Sequence, residues 1–597
     1  MILEVLKENF DEIFFVDTEF RQDLKDKGER PSVVCAVYKG LKSQQVFKHY
    51  GDDLNKLPPC KAKRSLFVAY NVVAEAACFK NLGITIPQNW WDCFIENKKL
   101  YLGRIAGGKG AFGLIRTAKR YGIECMSEDR KQWEIEQILH NPEHPIGDIL
   151  DYCLQDVLTL EKVFYAQLKD IEETFTNKGP REIIQHALFH GLSMAYTAVV
   201  EHNGIPIDNF LYGEISNNFP MAKEKIVEDI NSRLNVYDSG VFSQKKFKAL
   251  VARLDLLDRW PCTPSGQLST TEKVIYKFAQ ENETISELYF CKEFVDSQKL
   301  KGFIVGPDGR ARTGLNMFGT NTGRTNQSTS RYPFNTAKPM RNIVKPNDDC
   351  ALISADWKGQ EIAIAAYLSN DHKMISDYRT EDIYMTIAIK SGAAPKGAIK
   401  ASHPVIRNNY KVVLLATLYG QGAKSLAAQL DISIDEAVKI QQDIKNRFCI
   451  YFEWIDSLVN RAMVRGYMST KFGWRYWISK EDKINPRSLF NFPIQAHGSE
   501  MLRLALIGLV KEDIEVNALI HDGIIVQCKS NKFHDTEKKV SQIMENASRL
   551  VMDGNVCPVD ITPIKSNFKQ DKEEQIKFER MMTIIRHPSN KSTGVVA

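Results

Sequence analysis

The sequence predicts a multidomain protein of mixed α/β and α+β class. Its 597 residues exceed what one hydrophobic core usually organises. Short apolar runs alternate with helical patterns up to about residue 180, as in an α/β domain. The later pattern is mainly helical and rich in charge, and it is interrupted by one isolated strand and one hairpin. We therefore expect several folded units in one chain.

The composition is that of an ordinary globular protein, with 43% hydrophobic and 26% charged residues. The net charge of +5 permits a basic cleft but does not require a nucleic-acid partner. The 12 cysteines include no Cys-x-x-Cys pair, which argues against a zinc ribbon and fits reduced thiols. No secretory signal and no apolar run of ~20 residues is recognised, so no membrane partner is expected. The expected location is the cytoplasm, that of a host cell if the chain is viral, with an organelle as the alternative.

Two carboxylates follow the first apolar run of the chain, residues 13–16. Asp17 and Glu19 are two positions apart, which places both side chains on one face of a strand. Far downstream, Tyr152 and Asp156 are four positions apart in a helical pattern and share one helix face. Carboxylates converging from a strand and a helix favour Mg²⁺ or Mn²⁺, and two such ions suit phosphodiester cleavage. The alternative is solvated strand-end residues and a core tyrosine.

A second pair of carboxylates occupies the C-terminal half. Asp356 ends the apolar run of residues 351–355, and Asp522 lies at the tip of a strand–turn–strand pattern over residues 517–526. Strand ends and tight turns present carboxylates at the surface of a rigid sheet, which suits metal-assisted nucleotidyl transfer. The alternative is two unrelated exposed aspartates, because His-Asp-Gly is also common turn chemistry.

A basic helix is predicted between these two aspartates. Ser402 is expected to cap it, with Pro404 near its start and Gly420 at its end. Four residues recur every four positions and share a gradually rotating face: Arg407, Lys411, Leu415 and Tyr419. Cations near a helix start suit a triphosphate, while aliphatic and aromatic groups suit a sugar and a base. The alternative is an amphipathic helix with solvated basic residues.

In this order the motifs resemble those of DNA polymerase family A, the bacterial DNA polymerase I type, across nearly all of the chain. The family's first polymerase motif, roughly Asp-Tyr-Ser-Gln-Ile-Glu-Leu-Arg, corresponds to residues 356–363. Its second motif corresponds to Arg407, Lys411, Tyr419 and Gly420, and its His-Asp-Glu corresponds to residues 521–523. Further matches are Arg324, Arg487, Asn491 and Gln495. The resemblance implies a right-hand fold of thumb, palm and fingers.

The resemblance also implies roles for individual residues. Asp356 and Asp522 would hold the catalytic metal ions, and Glu361 would exclude a ribose 2′-hydroxyl. The incoming nucleotide would be bound by Gln360, Tyr384, Arg407, Lys411, Leu415, Tyr419 and Gly420. The primer–template would be contacted by Arg324, Arg487, Asn491, Gln495 and His521. Three positions depart from the family pattern: Leu415 replaces an aromatic residue, Tyr384 a histidine and Gly523 a glutamate.

The first carboxylate set resembles a proofreading 3′–5′ exonuclease domain, whose signature is four acidic residues and a tyrosine. Asp17 and Glu19 match its first motif, and Tyr152 and Asp156 match its third. The middle motif corresponds to residues 70–75, where Glu75 stands in place of the family's aspartate. The resemblance implies an RNase H-like fold and two-metal hydrolysis. A polymerase with a decayed nuclease site is the alternative that Glu75 leaves open.

Five segments are expected: an exonuclease domain over 1–180, a thumb over 181–310, the first part of the palm over 311–370, fingers and connecting helices over 371–480, and the second part of the palm with the tail over 481–597. The implied cofactors are two Mg²⁺ or Mn²⁺ ions per active site. The implied partners are primer–template DNA and deoxynucleoside triphosphates, and the motifs identify no processivity factor. Because the chain starts almost directly at the exonuclease strand, we expect no 5′-nuclease domain and a compact replicative or gap-filling polymerase, viral or organellar. A catalytically silent DNA-binding subunit is the alternative from another class.

Overall fold

The computed structural model describes residues 1–22, 30–108, 110–263, 265–297, 303–327, 331–335, 338–430, 432–478, 486–569 and 572–587, apart from the side chains at 297, 338, 339 and 486–488. The chain divides into two compact units. The first unit comprises Met1–Asn203, Leu315–Asn326 and Ile353–Thr562. The second comprises Gly204–Gly314, Gln327–Leu352 and Pro563–Ala597.

A five-stranded sheet forms the centre of residues 1–203. Its strands, in the order β3-β2-β1-β4-β5, are β1 Glu12–Gln22, β2 Pro31–Gly40, β3 Val46–Tyr50, β4 Ser65–Ala69 and β5 Trp90–Asp92. β1 pairs antiparallel with β2 and parallel with β4. β4 is buried along its whole length, which is typical of a central strand covered on both faces. The predicted α/β character of this region is confirmed.

The helices of this region are α1 Ile2–Asn9, α2 Val73–Asn81, α3 Cys93–Tyr101, α4 Leu114–Arg120, α5 Glu128–His140, α6 Ile146–Thr174 and α7 Pro180–Asn203. Helix α6 packs on β1 and β2, and α7 packs against α2 and β5. Because β1 continues to Gln22, Asp17 and Glu19 lie within the strand and not at its end. The interpretation of these two residues as solvated strand-end carboxylates is therefore wrong.

Helix α7 belongs to the first unit, although the predicted thumb segment begins at residue 181. The division into units falls after Asn203, at the end of this helix. By length and composition alone α7 could cross a membrane, so the expectation that no such apolar run exists needs correction. Most of its apolar stretch is buried within the protein, as in a core helix.

A buried ionic cluster joins α3 to α7. The ammonium of Lys99 contacts Glu96, and His190 Nδ1 lies 3.5 Å from Glu96 Oε1. The three side chains are at most 2% exposed. Burial would raise the pKa of Glu96, but Lys99 and His190 outweigh burial and lower it. Burial lowers the pKa of His190 to about 4, so its ring is neutral near pH 7.

Acidification is expected to destabilise the protein through its buried histidines. Burial lowers the pKa of His497, like that of His190, to about 4, whereas an unfolded histidine titrates at about 6.5. Between these pH values the unfolded chain binds more protons, so the free energy of unfolding falls as the pH decreases from about 6.5 towards 4. The loss should approach about 3 kcal/mol for each histidine. Urea unfolding at a series of pH values measures it.

The matched variants for this measurement are His190→Gln and His140→Gln. The first removes a buried titrating ring and should flatten the pH dependence of the unfolding free energy. The second removes an exposed histidine of α5 and should leave that dependence unchanged. Equal pH dependence in the wild type and His190→Gln would show that this ring contributes nothing to acid sensitivity.

The second unit is mainly helical between residues 204 and 314. Its helices there are α8 Asn209–Leu234, α9 Gln244–Arg253, α10 Glu272–Ala279 and α11 Glu283–Ser297. Helix α11 packs on α8 and α10. The stacked rings of Trp260 and Phe278, with centroids 4.2 Å apart, belong to its hydrophobic core. The mainly helical pattern predicted for this stretch is confirmed.

Leu315–Asn326 and Ile353–Thr562 complete the first unit, which contains most of a four-stranded sheet. The sheet has the order β9-β10-β6-β11, and its strands are β6 Cys350–Trp357, β9 Glu515–Ile520, β10 Gly523–Lys529 and β11 Val559–Ile564. A separate pair is formed by β7 Tyr467–Ser469 and β8 Arg475–Trp477. The helices are α12 Gln360–Ser369, α13 His372–Tyr378, α14 Ile383–Lys390, α15 Pro404–Leu418, α16 Ala423–Leu430, α17 Ile434–Arg447, α18 Cys449–Arg465, α19 Pro486–Lys511 and α20 Phe533–Val551. Helix α21, Lys572–Arg586, lies in the second unit.

The predicted basic helix is α15, and its start differs from the expectation. The helix begins at Pro404, the residue after the N-cap His403, and no side chain caps it. Ser402 Oγ instead donates to the carbonyl of Ile399 at 3.1 Å. The predicted serine cap is therefore wrong, because proline needs no partner for a backbone N–H at the first helical position. Gly420 follows the helix with a positive φ of 65°, as the predicted end requires.

Candidate active sites

The end of β6 and the turn between β9 and β10 line one pocket of about 320 Å³. Asp356 is the penultimate residue of β6, and Asp522 lies in the turn. Because β10 is the neighbour of β6 in the sheet, the two carboxylates reach the same pocket. A Cβ added at Gly523 would lie 3.5 Å from Asp356 Oδ1, which shows how closely the turn approaches Asp356. The structure thus brings the two aspartates together across 166 positions of sequence.

Negative charge accumulates in this pocket. Burial, together with the negative charges of Asp522 and Asp560, raises the pKa of Asp356 to about 7, although Asp356 still reaches solvent. Burial also raises the pKa of Asp522. Lys411 acts in the opposite direction on Asp356 but does not outweigh these causes. Carboxylates held in this way are stabilised by a bound cation.

Two aspartates of this pocket are absent from the predicted set. Asp560 lies on β11, which borders β6 on the side opposite β10. Asp382 accepts hydrogen bonds from the backbone N–H groups of Tyr384 and Met385 and so caps α14. The sequence carries a weak signal for each, since Asp560 interrupts an apolar strand and Asp382 precedes an apolar helical run. Neither signal indicates that the two carboxylates share a pocket.

Helix α15 presents Arg407, Lys411 and Leu415 to the pocket. Arg407 Nε lies 2.5 Å from Asp382 Oδ2. The guanidinium carbon of Arg407 lies 5.0 Å from the ring centre of Tyr384. The ion pair and the cation–π contact hold the guanidinium at the pocket wall. Two cations and the aspartate pair therefore line one cavity.

Glu361 lies at the centre of a polar cluster at the start of α12. Arg324 Nη2 donates to Glu361 Oε1 at 2.8 Å. The hydroxyl of Tyr419 lies beside Glu361 and Gln495, and burial raises its pKa. The cluster therefore contains residues that the sequence predicted to contact DNA together with residues predicted to contact the nucleotide.

The other residues that the sequence predicted to contact the nucleotide or the DNA differ in burial and in position. Gln360 lines the pocket but is also buried, and its Nε2 donates to the carbonyl of Gly498 at 3.5 Å, which joins α12 to α19. Asn491 is half-buried on α19. His521 is exposed in the turn before Asp522 and has a positive φ of 49°. Arg487 lies near the start of α19, and its side chain is outside the described residues.

A second carboxylate cluster is formed by β1, α2 and α6. Its members are Asp17 and Glu19 of β1, Glu75 of α2, and Asp156 of α6, with Tyr152 one turn before Asp156. Burial, together with the charge of Asp156, raises the pKa of Asp17 to about 7. Burial and then Asp17 raise the pKa of Glu19 and of Glu75. The mutual repulsion indicates that the four carboxylates share one site.

Lys131 of α5 is a cation of this cluster that the sequence reasoning missed. Its ammonium contacts Asp156 Oδ2 and lies 5.7 Å from the ring centre of Tyr152. Burial would lower the pKa of Lys131, but Asp156 and Asp17 outweigh burial and raise it. The sequence around Lys131 is rich in charge and resembles a solvated helix face, so it contains no signal that distinguishes this lysine.

Two carboxylate oxygens of the cluster remain without a donor. Glu75 Oε2 and Asp156 Oδ1 are buried and have no hydrogen-bond partner among the residues that the structure describes. The two side chains are 2% and 3% exposed. Buried oxygens of this kind are costly unless a donor or a cation satisfies them. An all-oxygen set of carboxylates is the donor set that Mg²⁺ and Mn²⁺ prefer, so these residues fit divalent ions.

A sequence model of DNA polymerase family A matches residues 212–562, which is more than half of the chain. The chain belongs to DNA polymerase family A. It is thus a template-directed DNA polymerase of the DNA polymerase I type.

Individual relatives of this family A polymerase are distant in sequence. DNA polymerase I of Aquifex aeolicus is 24% identical over 453 residues, which cover 70% of this chain and 74% of that protein. The thermostable DNA polymerase I of Thermus thermophilus is 23% identical over 397 residues, which cover 61% of this chain and 46% of that protein. A solved structure of the POL domain of Pol1 from M. smegmatis, in complex with DNA primer-template and dNTP, has a TM-score of 0.69 and 18% identity, and the match covers 95% of this chain and 97% of that one. The fold class predicted from the sequence is therefore confirmed.

The geometry explains one departure of this family A polymerase from the motifs of its family. A side chain at position 523 would lie 3.2 Å from the carbonyl of Ala355 and 3.5 Å from Asp356 Oδ1. Gly523 therefore leaves the space beside Asp356 open. Leu415, the second departure, lines the pocket with an aliphatic surface, and Tyr384, the third, lies against Arg407.

Proposed function

We propose that this family A polymerase adds deoxynucleotides to a primer 3′ end by two-metal nucleotidyl transfer. The observation that carries the proposal is the convergence of Asp356 and Asp522 on a pocket that Arg407 and Lys411 also line. Two carboxylates with raised pKa values and two facing cations suit a metal–triphosphate substrate. The activity would serve DNA replication or gap filling.

Asp356 and Asp522 would hold the divalent ions, with Asp560 close enough to add to their field. Bound Mg²⁺ or Mn²⁺ supplies activation of the attacking hydroxyl and stabilisation of charge on the transferred phosphate. Arg407 would bind the triphosphate while Asp382 and Tyr384 hold its guanidinium in place. Lys411 would add a second positive charge one turn later on the same helix face.

Primer–template DNA and deoxynucleoside triphosphates are the proposed substrates. The related M. smegmatis structure is a complex with DNA primer-template and dNTP, which supports this choice. Arg324, Asn491, Gln495 and His521 are proposed to contact the DNA, and Arg487 is proposed on sequence grounds alone. The ion pair between Arg324 and Glu361 would couple the DNA contact to the sugar of the incoming nucleotide.

We propose a second activity, 3′–5′ hydrolysis of DNA ends, at the cluster of Asp17, Glu19, Glu75 and Asp156. Its support is the burial and mutual repulsion of these carboxylates and the two oxygens without a donor. The four carboxylates would hold two Mg²⁺ or Mn²⁺ ions, which supply an activated water. Tyr152 would orient that water, and Lys131 would hold Asp156 in position through Oδ2.

One labelled primer–template tests both activities. With Mg²⁺ and all four deoxynucleotides the primer should lengthen, and with Mg²⁺ alone it should shorten from its 3′ end. Extension without shortening in Mg²⁺ or Mn²⁺ would support the decayed-nuclease alternative. DNA binding without any added nucleotide would support the silent-subunit alternative.

Removal of the Glu361 side chain is expected to admit ribonucleotides. The side chain borders the pocket beside Tyr419, where its volume would clash with a ribose 2′-hydroxyl. A steric clash in a closely packed pocket costs about 1–3 kcal/mol. Glu361→Ala should therefore reduce discrimination against ribonucleotides about 10- to 100-fold. Single-nucleotide incorporation kinetics with dATP and ATP measure the ratio.

Two variants separate the effect of side-chain volume at position 361 on sugar discrimination from the effect of negative charge in the pocket. Glu361→Gln keeps the volume of the side chain and should keep sugar discrimination. Glu381→Ala removes another carboxylate that lines the same pocket and should also keep it. Unchanged discrimination in Glu361→Ala, or an equal loss in Glu381→Ala, would contradict a steric role for Glu361.

A further inference from the structure

A thiol lies among the carboxylates of the first cluster. Cys153 is on α6, one turn before Asp156 and on the same helix face. Its Sγ donates to Asp17 Oδ2 at 3.4 Å. One ligand atom each from Cys153, Asp17 and Glu19 forms a set in which all distances are within 4.8 Å. The Tyr-x-x-x-Asp motif leaves this position open, so nothing in the family resemblance predicts a thiol there.

The distances in this set suit a single ion with mixed ligands. Zinc–sulfur bonds of about 2.3 Å and zinc–oxygen bonds of about 2.0 Å place sulfur and oxygen about 3.5 Å apart on a tetrahedral ion. The observed separation of Cys153 Sγ and Asp17 Oδ2 is 3.4 Å. Small side-chain rotations would therefore suffice for Cys153, Asp17 and Glu19 to meet around one cation.

A second observation points to a ligand at the same place. Asp156 Oδ1 and Glu75 Oε2 are buried and unpartnered among the residues that the structure describes. The charge of Asp156 raises the pKa of Asp17, and the charge of Asp17 in turn raises the pKa of Glu75. Lys131 contacts only the other oxygen of Asp156, Oδ2, so Oδ1 is left for a cation.

We propose that Cys153 is a metal ligand of this site and that the site therefore binds thiophilic divalent cations, of the Zn²⁺, Co²⁺ and Cd²⁺ class, as a mixed thiolate–carboxylate centre. The proposal rests on the proposed exonuclease site and adds to it a residue that decides metal preference. Mg²⁺ takes oxygen ligands and gains little from sulfur, whereas a thiolate strengthens the binding of softer ions. On coordination the thiol of Cys153 gives its proton to the solvent and binds as the thiolate.

Cobalt spectroscopy of the 597-residue protein tests the ligand directly. Co²⁺ bound to a thiolate has a sulfur-to-metal charge-transfer band in the near ultraviolet, which an all-oxygen site lacks. We expect the band in the wild type and its loss in Cys153→Ser. Calorimetric titration should show Cd²⁺ bound at least about 100-fold more weakly by this variant, because one of the few strong ligands is gone.

Two cysteine variants serve as matched controls. Cys35 is a buried cysteine of β2 that pairs with Glu19 in the strand register, so Cys35→Ser removes a neighbouring thiol with similar burial. Cys262→Ser removes an exposed cysteine of the second unit. Both variants should keep the charge-transfer band. Asp17→Asn should lose or shift the band, because it removes a carboxylate of the same set.

A wild type that binds Co²⁺ without the band, or a folded Cys153→Ser variant that keeps it, would overturn the proposal. If Cys153→Ser fails to fold by circular dichroism, cadmium NMR of the wild type decides, because the chemical shift distinguishes sulfur from oxygen ligation. Primer shortening in Mg²⁺ tests the nuclease separately. If the charge-transfer band is present but the primer is not shortened, Cys153 is a metal ligand and the proposed nuclease function is wrong. If the primer is shortened but the band is absent, the nuclease function is supported and the thiolate ligand is wrong.

Discussion

Replacement of Asp356 by asparagine is expected to reduce primer extension at least about 1000-fold while the shortening of 3′ ends continues. The substitution keeps the shape of the side chain but removes a charge that the pocket concentrates beside Asp522 and Asp560. Loss of a preorganised electrostatic contact typically costs about 100- to 1000-fold, and loss of a metal ligand adds to that cost. Extension of a labelled primer under single-turnover conditions measures the rate.

The control for Asp356→Asn is Asp535→Asn, which removes an exposed carboxylate near the start of α20. This variant should extend primers at the wild-type rate. Thermal unfolding of both variants shows whether the fold is intact. If a folded Asp356→Asn protein lost both activities, or extended primers normally, the assignment of polymerisation to this pocket would be wrong.

The reciprocal change, Asp17→Asn, is expected to reduce the rate of primer shortening at least about 1000-fold and to leave the rate of primer extension unchanged. Asp17 lies at the centre of the first cluster, since the charges of Asp156, Glu19 and Glu75 all interact with it. Without its carboxylate the remaining groups would hold divalent ions weakly, so the activated water would be lost. Incubation of a 3′-mismatched primer with Mg²⁺ and no nucleotides measures the rate.

A matched control for Asp17→Asn is Asp151→Asn on helix α6. Asp151 is an exposed carboxylate next to Tyr152 that pairs with Lys48 at the surface. Its removal should change neither activity, because it takes no part in the buried cluster. Continued shortening by Asp17→Asn would place hydrolysis elsewhere, and a loss of extension would contradict the separation of the two sites.

Glu75 illustrates what a motif comparison cannot decide. The sequence shows a glutamate where the family has aspartate, which raised the alternative of a decayed nuclease site. In the fold Glu75 is on α2 and 2% exposed, and the charge of Asp17 raises its pKa. The longer side chain therefore still brings its carboxylate into the cluster. Whether this geometry supports hydrolysis is what the shortening assay measures.

Several features were determined by the sequence alone. The order of the motifs identified the family, and the periodicity of apolar residues predicted that Asp17 and Glu19 share one face of a strand, that Asp356 lies at the end of a buried apolar run, and that Arg407 and Lys411 share a helix face. These properties are local, because side chains alternate between two faces of a strand and return to the same face of a helix every 3.6 residues. The polarity of nearby positions therefore predicts which face each side chain occupies. Local chemistry was misread at the ends of elements, because β1 continues past Asp17 and Glu19 to Gln22 and α15 begins at Pro404 without a cap from Ser402.

The tertiary structure alone decided which distant residues join the two sites. Asp560 reaches the polymerase pocket because β11 pairs beside β6, and Asp382 does so through its ion pair with Arg407. Lys131 and Cys153 enter the first cluster because α5 and α6 pack on β1. The reason is physical: strand order and helix packing bring together side chains that are far apart in the chain, and no local pattern of polar and apolar residues specifies those partners.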